Sequence, residues 1–395
     1  MRDIIDLAEA LAMVRREAGG GRRRPRQGVA LDEALGRVLT GQVLSPLDSP
    51  PFDKSAMDGF ALAAGDTGNE LAIRETVAAG GPSPRPLAPG ECARIMTGAM
   101  LPPGADRVIR KEFVEERAGV AKLVRPESGS NVVKRGASVM RGQRILGPRV
   151  LAPQDIGILA ASGIARVEVA VPPVTGVICT GPEIRPAGEE LSVGQIYDSN
   201  GPQLAAQLSA MGCPARCRET VVDEPGPLSA AIAAALRDCE VVLLTGGVSE
   251  GDFDFVPRCL EEQGARILFH GVAVKPGKPT LFARRPEGAW VFGLPGNPVS
   301  TFVIFEVFVK PFLYGLMGLE WEAPMHSGVL GDAMRRRQAD RTEYLPVTLR
   351  GGVVTPVAFH GSADLNALAD ADGLVVMERG VSELPRGARV DVRQI

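Results

Sequence analysis

At 395 residues the chain is too long for one ordinary hydrophobic core, and at about 100 to 200 residues per domain it predicts two to four of them. Its 45% hydrophobic and 23% charged content is that of a soluble globular protein. With 44 basic against 47 acidic side chains, a net charge of −3, no bulk positive field draws it to nucleic acid or to a membrane surface, so any anion site has to be local.

The N-terminus is acidic and amphipathic from Asp3, unlike a secretory signal, and no apolar run is read as long enough for a membrane span. A cytoplasmic protein is therefore expected. Ile4, Leu7, Ala8, Leu11, Met13 and Val14 are spaced for a helix over 3–18 that stops at Gly19-Gly20-Gly21. Arg22 to Arg26 then reads as an exposed, solvated loop, and LDEALG as a short helix over 31–36. From about Ser49 to Ser138, short apolar runs alternate with Pro and Gly, the pattern of a small all-β domain. An extended segment and a helix at 153–162 follow. The β domain (49–138) is thus expected as an insertion within a discontinuous N-terminal unit formed by 1–48 and 139–171.

Over 172–318 strands and helices alternate. Strands are expected at 174–179, 215–222, 240–245, 265–270, 280–283 and 289–294, and helices at 201–211, 227–237, 255–263 and 298–316. This alternation predicts a doubly wound, largely parallel sheet whose ligand lies beyond the carboxyl ends of the strands. After Trp321 short strand-like runs return, predicting a compact C-terminal β-barrel over 319–395. The fold class is α/β multidomain. The six cysteines form no CxxC pair, and Cys213-x3-Cys217 lacks further zinc ligands, so free thiols in a reducing compartment are expected. His270, His326 and His360 are scattered, which argues against a histidine metal site or a Ser/His triad.

Chemistry concentrates in the strand-end loops. Lys275-Pro276-Gly277-Lys278-Pro279 sets two ammonium groups three residues apart in a segment that cannot form a regular helix, either a solvated turn or a clamp for an anion. The run CEVVLL opens into Thr245-Gly246-Gly247-Val248-Ser249-Glu250-Gly251-Asp252-Phe253-Asp254, where exposed N–H groups suit an anion and the acids suit magnesium or a helix cap. AWVFGL leads to Pro295-Gly296-Asn297-Pro298, with Asn297 as N-cap and Pro298 at the first helical position, so unpaired N–H groups are expected at that helix start. TGVICT leads to Gly181-Pro182-Glu183, and Asp198-Ser199-Asn200 precedes another helix. Together these loops predict a site for a phosphorylated ligand and a divalent cation. Outside them, Pro50 to Ala61 (PPFDKSAMDGFA) is dense in turn residues, and Arg94-Ile95-Met96-Thr97-Gly98 has the form of a strand and turn.

In this order PPFDKSAMDGFA, RIMTGA, CTGPEI, GQIYDSN, TGGVSEGDFD, VKPGKP and GLPGNPVS resemble the MoeA family of molybdopterin molybdenumtransferases, which includes the gephyrin E domain. The resemblance runs from the first helix to the C-terminal barrel. It implies insertion of molybdenum from molybdate into adenylylated molybdopterin, with magnesium and release of AMP. It also implies a homodimer whose cleft is shared between subunits, with molybdopterin adenylyltransferase and client molybdoenzymes as partners and no nucleic acid or membrane. Carried over by motif, catalytic roles fall on Asp58, Thr97, Glu183, Asp223 and Asp254, and metal binding on Asp58, Glu183 and Asp254. Ligand binding falls on Gly246, Gly247, Ser249, Lys275, Lys278, Pro295, Gly296 and Asn297. The chain departs from the family pattern at Ala137 and Ser138, at Pro182, and around Ala363 and Asn366, each replacing an acid or a serine. The alternative expectation is an altered or non-catalytic paralogue that binds molybdopterin or the finished cofactor and delivers it to a client.

Overall fold

A computed structural model describes residues 4–20, 24–82, 84–248, 255–286 and 288–395. The first helix is Leu7–Gly19, and it starts later than its apolar spacing suggests. Ile5 is drawn instead into a bridge with Val272, and the Asp6 carboxylate accepts the Ala8 N–H at 2.9 Å, capping the helix there. Its buried face carries Leu7, Ala10, Val14 and Ala18. A Cβ at Gly315 would lie 2.8 Å from the Ala18 side chain, so that glycine lets the two backbones approach. The expected helix at 31–36 reduces to a single 3-10 turn, Leu31–Glu33, because the chain reverses through Gly36 at φ +75°.

Arg26–Ala30 pairs antiparallel with Arg166–Ala170, which joins the two sequence-distant parts of the N-terminal unit. Between them a six-stranded sheet carries the strands Ala105–Arg110, Gly59–Ala63, Glu91–Ile95, Glu70–Val77, Val120–Leu123 and Val114–Arg117, in that spatial order. Ala61, Ala93, Ile95 and Val108 form its own small core.

The central sheet runs Ala215–Val221, Thr175–Thr180, Val241–Thr245, Trp290–Leu294, Leu281–Arg284, Arg266–His270. The first four strands are parallel and the last two antiparallel. Val241–Thr245 and Trp290–Leu294 are buried throughout, as central strands covered on both faces must be. Phe282 stacks on Phe292 with ring centroids 4.6 Å apart, and Phe312 packs edge-on against both.

Phe312 belongs to the helix Pro298–Leu316, which contains a π-helical segment at Phe305–Val309. An 18-residue window of this 19-residue helix has a mean hydropathy of 1.5, so the reading that no apolar run is long enough for a membrane span is corrected. Burial explains the composition: 78% of that window lies inside the protein, as expected for a helix hydrophobic all round.

In the C-terminal region Met325–Leu330, Thr342–Arg350, Val353–Pro356, Gly373–Met377 and Arg389–Gln394 close a five-stranded barrel, with Thr342–Arg350 pairing on both sides. Val347, Val354, Val375 and Val392 fill it. The short strand Val274–Lys275 pairs in parallel with Thr342 and Glu343, bolting the barrel to the central domain.

Candidate functional site

A cleft of about 1200 Å³ opens at the carboxyl ends of the parallel strands and is closed on its far side by the barrel. Its floor depends on glycine. Gly246 sits at φ +91°, and a Cβ there would lie 1.9 Å from the Thr180 carbonyl oxygen. Gly247, at φ +60°, would bring a Cβ to 3.2 Å from the Asp223 carboxylate, which stands behind the turn and accepts the Thr180 hydroxyl at 3.2 Å. Gly296 comes up against Gly246, 3.9 Å from its would-be Cβ to the Gly246 Cα, so two backbone turns meet where a ligand can approach both.

Asn200 ties these turns together. Its amide donates to Thr245 Oγ1 at 3.0 Å and to the Gly296 carbonyl at 2.7 Å. The Oδ1 atom is left buried without a partner among the described residues, an acceptor suited to a ligand N–H or O–H. Asn297 occupies the N-cap position at φ −69°, ψ 130°, but its side chain makes no cap bond. It donates instead to Ser362 Oγ at 2.8 Å, while Val299 N–H donates to the Ser362 carbonyl at 3.0 Å. The expectation of a bare helix start is therefore corrected, because the barrel's loop has taken one of its N–H groups.

The two lysines differ. Lys275 Nζ lies 2.8 Å from Glu343 Oε1, and Glu343 is only 5% exposed, with Arg336 3.6 Å from its other oxygen. The picture of two ammonium groups awaiting one anion is corrected accordingly: Glu343 already meets the Lys275 charge. Lys278 is exposed and has no partner among the described residues.

Arg335, Arg336, Arg337 and Arg341 line the barrel side of the cleft, and sequence reading passed over them. Arg336 is spent on the Val381 and Arg341 carbonyls at 2.6 and 2.7 Å, and Arg335 on Glu383 at 2.9 Å. Arg337 is exposed without a partner among the described residues. The signal was available, since a triple arginine stands just before the TEYLP strand.

Glu183 stands exposed on the cleft lip. Ser249 and Asp254 lie outside the described residues. Asp58 belongs to the inserted sheet domain and Glu183 to the cleft lip, and no three ligating side chains cluster for a metal among the described residues. Of the expected magnesium ligands, Glu183 is the carboxylate that the described residues place at the cleft.

Asp58 and Thr97, 39 residues apart, do meet: the Thr97 N–H and hydroxyl donate to Asp58 Oδ1 at 2.9 and 2.8 Å. Lys111 Nζ lies 3.4 Å from Oδ2. The Thr97 bonds, backbone first, and then Lys111 hold the Asp58 carboxyl below its ordinary value. Folding therefore favours the ionised form, and this contribution is present above the ordinary carboxylate range and lost as pH falls through the depressed value. Nearby, Asp53 accepts Lys134 Nζ and Arg135 N–H, each at 2.8 Å, and Asp48 accepts Arg135 Nε at 2.6 Å. The loop bearing Ala137 and Ser138 is thus held by acids from outside it.

Three family models match this architecture in order: "MoeA N-terminal region (domain I and II)" over 5–163, "Probable molybdopterin binding domain" over 176–315 and "MoeA C-terminal region (domain IV)" over 328–395. The chain belongs to the MoeA family. It is similar to the molybdopterin molybdenumtransferase of Staphylococcus aureus strain Mu50, 32% identical over 377 residues, which is 92% of this chain and 90% of the relative. The Bacillus subtilis strain 168 protein of the same name is 33% identical over 386 residues, 92% and 88% of the two chains. The crystal structure of the molybdopterin biosynthesis MoeA protein from Pyrococcus horikoshii OT3 superposes with a TM-score of 0.86 at 28% identity, covering 100% of both chains. The MoeA fold therefore sets the cleft between its molybdopterin-binding-type domain and its C-terminal barrel.

Proposed function

We propose that this MoeA-family chain is a molybdenumtransferase of molybdenum cofactor biosynthesis, inserting molybdenum from molybdate into adenylylated molybdopterin and releasing AMP. The observation that carries this reading is the cleft itself, where Lys278, Arg337 and the Asn200 oxygen, all without a partner among the described residues, line the same cavity as the Gly246 turn. Cations of two chemical kinds suit two anions. A lysine is a compact point charge, and a guanidinium forks onto paired oxygens of phosphate or molybdate.

Asp58, held ionised by Thr97, is proposed to reach the cleft of a second subunit in a homodimer, where it positions water for adenylate cleavage. Glu183, the described carboxylate at the lip, would help hold a magnesium ion that neutralises the substrate's phosphates. The substrate's supplier is an adenylyltransferase and its consumer an apo-molybdoenzyme, in the cytoplasm and away from nucleic acid and membrane. The substitutions at Ala137, Ser138 and Pro182 motivate the second reading, a delivery module, which predicts tight molybdopterin binding with no AMP released.

Purified protein given adenylylated molybdopterin, molybdate and magnesium is expected to release AMP and yield cofactor that activates an apo-molybdoenzyme; absence of both products would overturn the proposal. Lys278→Ala and Arg337→Ala should each weaken ligand binding by about 1.5–3 kcal/mol, roughly 10- to 150-fold, the range for hydrogen bonds to charged groups. The loss should be largest at low salt. Titration calorimetry with both variants unchanged would remove these cations from the site. Asp58→Ala should retain binding and lose turnover; full AMP release by this variant would exclude its catalytic role.

A further inference from the structure

Behind the central sheet two thiols lie in contact. Cys217 Sγ and Cys239 Sγ are 3.8 Å apart, Cys217 on the edge strand Ala215–Val221 and Cys239 at the C-cap of the helix Pro225–Asp238. The other four cysteines, Cys92, Cys179, Cys213 and Cys259, are buried, whereas Cys217 is partly open to solvent. The slot that holds the pair is made by an absent side chain. Gly176 is the ladder partner of Cys217 on the adjoining strand, and a Cβ there would lie 2.9 Å from Cys239 Sγ and 3.0 Å from Cys217 Sγ.

We propose that Cys217 and Cys239 are a redox-responsive pair, dithiol in a reducing compartment and disulfide under oxidative challenge by a peroxide. Two sulfurs in van der Waals contact need only side-chain rotation and a small backbone adjustment to reach bonding distance, about 2.05 Å. One thiol of the pair is reachable by a small oxidant and the other is shielded. The Cys217 thiolate attacks hydrogen peroxide, giving a sulfenic acid and hydroxide, which the released proton converts to water. Cys239 then attacks that sulfur, its proton leaving with the displaced hydroxyl as a second water. Two thiols are oxidised to one disulfide while one peroxide is reduced.

The Cys239 thiol is pushed up to about 12, first by burial and then by the neighbouring Cys217, so Cys239 is the poorer first nucleophile and the partly open Cys217 is the sulfur a peroxide meets first. The bond would close a loop spanning 22 residues, which contains Asp223 beside the Gly246-Gly247 turn. Oxidation would therefore staple the strand-to-helix connection that backs the cleft floor.

The test is graded hydrogen peroxide on the reduced, native full-length protein, followed by alkylation of free thiols and peptide mass spectrometry without reductant. The expected result is a Cys217–Cys239 linked peptide, loss of two hydrogens from the intact mass, four alkylatable thiols of the original six after unfolding, and reversal by dithiothreitol. A raised Tm in the oxidised form is expected from loop closure. Cys217→Ser should abolish the link and leave Cys239 alkylatable after unfolding. Should that variant not fold, Cys239→Ala gives the second reading, because its lone Cys217 should proceed to sulfinic acid. Over-oxidation of Cys217 in the wild-type protein with Cys239 still free, or a link formed only after denaturation, would overturn the proposal.

Discussion

Gly246→Ala is expected to cost about 3 kcal/mol or more and to abolish ligand binding, because it combines a left-handed backbone with a direct collision. The added methyl would lie 1.9 Å from the Thr180 carbonyl oxygen, and backbone cannot swing aside as a flexible side chain can. Relief requires the turn to leave the strand end, which also breaks the surface it shares with Gly296. Gly296→Ala is the control, since its methyl would meet only the Gly246 Cα at an ordinary 3.9 Å, and it should cost under about 1 kcal/mol. Denaturant unfolding of the two variants separates the cases; equal stabilities would refute the steric argument.

Glu343→Ala carries the second large effect. The Glu343 side chain is 5% exposed and the Arg336 side chain 4%, so removing the carboxylate leaves a guanidinium buried without its counter-charge. Breaking a buried pair from one side costs about 3–5 kcal/mol. Lys275 is 49% exposed, so Lys275→Ala should cost far less, its charge being largely solvated already. Glu343→Gln keeps the shape and removes the charge, so it should fall between the two. Urea midpoints at constant m-value give the ranking, and a Lys275→Ala loss as large as that of Glu343→Ala would contradict it.

Much of the central domain could be read from residues alone. Its strands are buried on both faces, so VVLLT and WVFGL are unbroken apolar runs bounded by glycine and proline, a pattern that needs no knowledge of neighbours. The strand-end loops followed from the same runs, and with them the Gly246, Lys275, Lys278 and Asn297 surroundings of the cleft.

What stayed hidden was set by contacts between distant segments. Glu343 sits within TEYLP, an ordinary barrel strand, and only the pairing of Val274–Lys275 with Thr342–Glu343 reveals that it neutralises Lys275. Asn297 has the residue type and position of a cap, yet Ser362, 65 residues away, claims its amide. The triple arginine marked the segment, but that Arg337 faces the cleft while Arg335 and Arg336 are engaged elsewhere needed the barrel's orientation. The meeting of Asp58 with Thr97 likewise required the sheet register that brings their loops together.

The barrel is tethered to the central domain on both sides of the cleft, through Val274–Lys275 with Thr342–Glu343 and through Ser362 with Asn297 and Val299. Lys278 comes from one folding unit and Arg337 from the other, so docking of the units and assembly of the charge pair are a single event. Under the proposed function, a nascent chain whose barrel has not yet closed would present one of the two cations and hold the oxyanion less well. By linkage, an anion that binds both cations returns its binding free energy as cohesion between the two units. Under that same proposal the substrate would act as a fastener of the enzyme that handles it, and starvation for it would leave the C-terminal barrel as the part most readily released to proteases.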